Sequence, residues 1–234
     1  MATHWKYGLY IDDQTDGKNG KLLGLGEGRA FANATIRALV KLESKPIGLD
    51  LLHLIGKRCE GVGTKLVNGR ITIHYGTGTL VPLEVSAADT ILGSTYASST
   101  GHGARTNTPI KVVTDGGVVE LGMKLAGQGS ASKVCYNPFI SIGEVFVPQL
   151  KAKLKMFMGV ETPAFVALGH ELIHAFHSLS GDRKTGNTPG GAKAEEAWTV
   201  GAGKYANTRI SENAIRKEHG LPLREYYSKR GDCD

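Results

Sequence analysis

The stretch "TPAFVALGHELIHAFHSLSG", residues 162 to 181, limits what this chain can fold into more than any other part of it. Phe165, Leu168, Leu172, Phe176 and Leu179 recur at three- and four-residue steps, the period of one helix face turned to a core. Thr162 and Pro163 read as N-cap and first-turn proline and Gly181 as the stop, which predicts a helix of about 18 residues. Three of the eight histidines, His170, His174 and His177, fall inside it.

His170 and His174, four residues apart, are neighbours on one side of such a helix. Zinc takes nitrogen from neutral imidazole, so this step supplies two ligands about a turn apart. Glu171 follows the first of them directly and is placed to take a proton from a water that zinc acidifies, then to pass it to a leaving amine. The pattern His-Glu-x-x-His therefore reads as two ligands and a base.

A catalytic zinc site needs a third protein ligand and an open position. His177 shares the face, but three histidines would then have to bend around one ion from a single straight helix. The long metzincin pattern requires glycine at 177 and histidine at 180, where this chain has His177 and Ser180, and that class is excluded. What remains is a glutamate from a following helix, and "AEEAW" offers Glu195 and Glu196. Adjacent helical residues point about 100° apart, so one binds the metal and the other orients a ligand histidine.

Elsewhere "KYGLYID" reads as a strand, and 27 to 43 as a helix with Phe31, Ile36, Leu39 and Val40 as its apolar side. "GLDLLHLIGKRC" is a second helix after Pro46, and "RITIHYG" a strand. From 76 to 130 the composition shifts to Gly, Ser and Thr, with "IKVVTDGGVVEL" as a hairpin turning at Asp115-Gly116. The glycines at 76, 78, 101 and 103 have no Gly-Lys-Ser/Thr after them, so they read as loops and not as a phosphate cradle. "KVCYNPFISIGEVFV" gives one or two buried strands broken at Asn137-Pro138. Helices follow in "AKAEEAWTVGAG" and in "SENAIRKEHG", the latter capped by Ser211 and stopped by Gly220, before an irregular tail.

At 234 residues the chain suits one core, read as a single domain over 1–234 with an N-terminal lobe, 1–130, and a metal-binding part, 131–234. Charged residues make up 21% and no run approaches the ~20 apolar residues of a membrane span, so no membrane role is expected. The formal charge of +6 is scattered, with small clusters at "KAKLK" and "SKR" and no aromatic interleaving, which argues against a nucleic-acid partner. Cys59, Cys135 and Cys233 are odd in number and far apart, which fits a reducing compartment and no disulfide framework. The first residues lack the basic start and apolar run of a Sec signal.

"HELIHAFHSLSG", "EEAWTVG" and "ISENAIRKEHGLPLREYY" together resemble the NleD-like family of bacterial type III effector metallopeptidases. More distantly they are similar to the light chains of clostridial neurotoxins, which carry HELIH and a later Glu-Glu pair followed by Thr-x-Gly. The likeness covers roughly 134 to 227 and is strongest from 162. It implies an α+β fold of the zincin-like, gluzincin type, with a central HExxH helix packed on a small mixed sheet. It also implies a zinc endopeptidase with one Zn2+ per chain, held by His170, His174 and Glu196, with Glu195 behind them. Arg224 and Tyr227 resemble the neurotoxin Arg-x-x-Tyr pair that stabilises the oxyanion, with Tyr226 as rival for the hydroxyl. The expected setting is a monomer delivered into a target cell without a Sec signal, acting on a protein substrate in the cytosol. The alternative is a zinc-containing peptide-binding module of the same fold without turnover. An extended substrate is expected to pair with "FISIGEVFV" or "KVCYN" as an edge strand, rimmed by the loops of 76 to 130.

Overall fold

A computed structural model describes residues 2–16, 21–61, 70–75, 94–97, 108–114, 117–124, 132–138, 160, 162–182, 184 and 194–225. In chain order the elements are β1 (Thr3–His4), β2 (Leu9–Asp16), α1 (Leu25–Glu43), α2 (Pro46–Cys59), β3 (Ile71–Tyr75), β4 (Ser94–Ala97), β5 (Thr108–Thr114), β6 (Gly117–Lys124), β7 (Ser132–Tyr136), α3 (Ala164–Ser180), α4 (Ala194–Val200) and α5 (Glu212–Glu218). A short 3-10 turn, Gly203–Tyr205, separates α4 from α5.

Five strands form one mixed sheet in the order β1-β2-β3-β7-β4. β2, β3 and β7 run parallel, and β1 and β4 are antiparallel to their neighbours. Alternation puts Ile11, Ile73 and Val134 in one register row and on one face, and all three are buried. That face joins Phe31, Leu39 and Leu42 of α1, Leu51 and Ile55 of α2, and Leu168 and Leu172 of α3 in one core. α3 packs against β4 and β7 on one side and against α1 and α2 on the other. The helix that carries the histidines is therefore central, with sheet beneath it. No helix among the described residues is long and apolar enough to cross a membrane.

Several local expectations shift. The strand expected from "KYGLYID" starts only at Leu9, because Tyr7 and Gly8 turn the chain with φ of 54 and 72. In α1 the buried stripe is Phe31, Thr35, Ala38, Leu39 and Leu42, while Ile36 and Val40 face outward. Ile36 is five residues from Phe31, a rotation of about 140°, so the two cannot share a face. Thr162 is not the cap of α3: Pro163 holds that place, and Thr162 Oγ1 accepts from Arg216 Nη2 at 2.5 Å. Phe165 and Phe176 only lean against the core. "KVCYN" is not an edge: β7 is paired on both sides, and the edge beside α3 is β4. "FISIGEVFV" lies outside the described residues, as do Asp115 and Gly116, whose flanking residues Thr114 and Gly117 pair across the β5–β6 hairpin.

The ends of the later helices follow the sequence closely. α3 ends at Gly181 with φ 75. Ser211 Oγ accepts from Ala214 N at 3.2 Å to cap α5, and Gly220, φ 67, ends it. α5 is also tied to α2: the Glu218 carboxylate accepts from Ile47 N at 2.7 Å and Gly48 N at 3.0 Å, satisfying two of the orphan donors that open every helix.

A candidate metal centre

α3 gives the centre its frame, and one glycine lets the frame close. A Cβ on Gly169 would lie 2.9 Å from Ile215 Cδ1 and 3.2 Å from Leu42 Cδ2, so its absence lets α5 and α1 approach α3 beside His170. From α5, Glu212 then reaches His170 Nδ1 at 2.9 Å. From α4, Glu195 Oε1 reaches His174 Nδ1 at 2.9 Å, and the Thr199 hydroxyl lies 3.1 Å from the same nitrogen. Lys184 N donates to the other Glu195 oxygen at 2.8 Å.

The opposite ring nitrogens converge. His170 Nε2 and His174 Nε2 are 3.1 Å apart, and Glu196 Oε2 lies 3.0 Å from the second and 3.4 Å from the first. Carboxylates accept only, so Glu212 and Glu195 fix a proton on each Nδ1 and leave a lone pair on each Nε2. With both imidazoles neutral, three acceptors meet there, which is the donor set of a cation. Ligand atoms about 2.0–2.1 Å from a tetrahedral zinc are spaced by about 3.3 Å, close to what is observed. His170, His174 and Glu196 are a group that could hold a metal ion; His174, His177 and Glu195 form a second cluster.

The electrostatics point the same way. Burial opposes charge on His174, yet Glu196, Glu195 and Glu171 outweigh it and push its pKa up to about 10. His170 is raised likewise, against burial, by Glu196 and Glu212. Burial alone would raise Glu212, but Arg224, His170 and Arg216 hold it well below the usual carboxylate range. A pocket with this much negative charge takes up positive charge, whether proton or metal.

Of the residues singled out in the sequence, His170, His174, Glu195 and Glu196 come together, with Glu171 buried on α3 between His170 and His174 in sequence. Arg224 is buried, not part of a surface tail, and its Nη1 donates to Glu212 Oε2 at 2.7 Å. Tyr226 and Tyr227 lie outside the described residues. Sequence reasoning missed Glu212 and Arg216. Arg216 is fully buried, donating to Glu212 Oε1 at 2.6 Å. The available signal was Ser211-Glu212 at a helix start; an acidic first-turn residue is ordinarily a solvated one.

A small mixed sheet is thus overlaid by helices in an α+β arrangement, with histidines of the central helix met by glutamates of α4 and α5. The chain belongs to the Peptidase_M91 family of effector proteins, whose match runs over residues 25–227. No curated protein matches its sequence. Among solved structures it is similar to the Clostridium botulinum neurotoxin serotype F light chain, with TM-score 0.50 and 16% identity over 90% of this chain and 58% of that one. The catalytic domain of the serotype F neurotoxin gives TM-score 0.50 and 15% identity over 90% and 56%. The chain spans less than three fifths of the length of these relatives, and at such identity the likeness is one of fold.

Proposed function

We propose that the protein is a zinc-dependent endopeptidase of the gluzincin type, one domain over 1–234 whose HExxH helix lies on the mixed sheet. The observation that carries this reading is the convergence of His170 Nε2, His174 Nε2 and Glu196 Oε2 within 3.4 Å of one another while both Nδ1 atoms are held by carboxylates. His170, His174 and Glu196 would hold one zinc, which when bound supplies Lewis acidity and a water acidified to near neutrality. Glu195 and Glu212 keep the two imidazoles in the ligating tautomer and orientation. Glu171 takes the proton of the attacking water and returns it to the leaving amine. An extended substrate adds to β4, the edge of the sheet among the described residues, where backbone pairing holds it alongside α3.

Arg224 and Tyr227 are the proposed donors to the developing oxyanion, and Arg224 has a further task in clamping Glu212. Membership of an effector family supports delivery into a target cell; the proposed enzyme is a monomer, and its proposed substrate is a protein of the cytosol. The test is incubation of the protein with cell lysates, with and without a zinc chelator, followed by sequencing of new N-termini. Chelator-sensitive cleavage that Glu171→Gln abolishes by about 10²-fold or more, with zinc retained, is the expected result. No chelator-sensitive, Glu171-dependent cleavage in any lysate would leave only a peptide-binding module of this fold.

A further inference from the structure

His177, set aside as a ligand, is buried one turn beyond His174 on α3. Its Nδ1 lies 2.8 Å from Glu195 Oε1, the oxygen that also meets His174 Nδ1 at 2.9 Å. A carboxylate oxygen can accept from both, so each ring carries its proton on Nδ1 and Glu195 is held from two points of α3. The His177 ring is itself fixed: it stacks on Trp198 of α4 with centroids 3.6 Å apart and planes 1° from parallel. Lys184, whose backbone N–H takes the second Glu195 oxygen, also carries its ammonium 4.5 Å from the Trp198 ring centre.

Beside His174 and the Lys184 amide, His177 gives the Glu195 carboxylate a further fixed donor on the oxygen that faces His174, and the stack on Trp198 sets the height of α4 along α3. We infer that His177 is a positioning residue for the metal centre, acting on His174 through their shared Glu195 oxygen. This rests on the reading that His170, His174 and Glu196 hold zinc. Partners of this kind, one step behind a ligand histidine, change metal affinity by about 10- to 100-fold when lost.

Two substitutions separate positioning from packing. His177→Phe keeps a ring against Trp198 and removes the donor; His177→Asn places an amide N–H near the Nδ1 position and removes the ring. The full chain is stripped of metal, its thermal unfolding is recorded, and zinc alone is titrated against a chromophoric chelator. The expected result is zinc affinity about 10- to 100-fold weaker in His177→Phe with the metal-free melting temperature nearly kept, and affinity largely restored in His177→Asn despite its lower melting temperature. Affinity following the melting temperature, with Phe at least as good as Asn, would overturn the inference. So would a second equivalent of zinc in the wild type that His177→Phe alone removes, since the outer cluster would then be a metal site itself. Wild type that binds no zinc, or His174→Ala that keeps it, sinks the underlying zinc reading instead.

Discussion

Arg224 and His170 meet at one atom: Glu212 Oε2 accepts from Arg224 Nη1 at 2.7 Å and lies 2.9 Å from His170 Nδ1. The guanidinium keeps the carboxylate ionised, and the ionised carboxylate keeps the imidazole proton on Nδ1. Arg224→Ala is therefore expected to weaken zinc binding by about 10-fold and lower kcat by roughly 10²-fold, the first through His170 and the second through the oxyanion. Chelator competition and turnover measured on the same sample check it; unchanged zinc affinity would remove the clamp, and unchanged kcat the donor role.

The two adjacent glutamates should separate cleanly. Glu196→Ala removes an atom 3.0 Å from His174 Nε2, whereas Glu195→Ala removes a partner of the opposite nitrogen. Metal content after dialysis is expected to fall further in Glu196→Ala, and the reverse order would exchange their roles.

Arg216 has no exposed surface and divides its donors among Glu212, Thr162 and the Pro222 carbonyl. Arg216→Met leaves Glu212 with one guanidinium partner fewer in a buried setting, where breaking such a pair costs about 3–5 kcal/mol. Denaturant unfolding of the metal-free protein measures this directly, and a loss under about 1 kcal/mol would mean that Arg224 alone suffices.

Gly201 ends α4 at φ +73, and a Cβ there would lie 2.5 Å from Ser211 Oγ and 2.7 Å from Ser211 Cβ. Gly201→Ala would combine strain of about 1–3 kcal/mol with displacement of the α5 cap. The expected outcome is a lower melting temperature together with weaker zinc binding, because α4 and α5 both carry carboxylates of the centre.

Burial, helped by Glu60, pushes the Cys59 thiol up to about 12. Its folded value exceeds its ordinary 9.0, so the native state holds the proton more tightly and this contribution to stability, complete below pH 9, is lost as pH rises toward 12. A thiol-reactive dye at pH 8 should leave Cys59 unmodified until the chain unfolds, and Cys59→Ala should flatten the alkaline limb of the stability curve. Rapid native labelling at Cys59 would contradict the burial assigned to it.

The histidine helix was legible because three residues of the His-Glu-x-x-His pattern and an apolar stripe agree over the same 20 residues, 162 to 181. Glu195 and Glu196 were legible as a pair on the next helix, though their division of labour came from family likeness and not from spacing. Glu212 was hidden: it lies 42 residues from His170, and its inward turn depends on how closely α5 can approach at Gly169. The strand β3 showed in its alternation and β7 as a buried run before Asn137-Pro138, but the sheet order did not, since parallel pairing joins Leu9 to Ile71 across two intervening helices. β4 was missed because "STYA" sits in a Gly, Ser and Thr-rich stretch with no apolar rhythm.

α5 is only seven residues long, too short to persist in water without its neighbours. At its first residue Glu212 serves His170, and at its last Glu218 holds the opening amides of α2. The two duties lie on opposite ends of one short rod. Lifting α5 releases both together, so the amides of Ile47 and Gly48 and the order of the His170 ring belong to one opening event, readable as a single hydrogen-exchange unit.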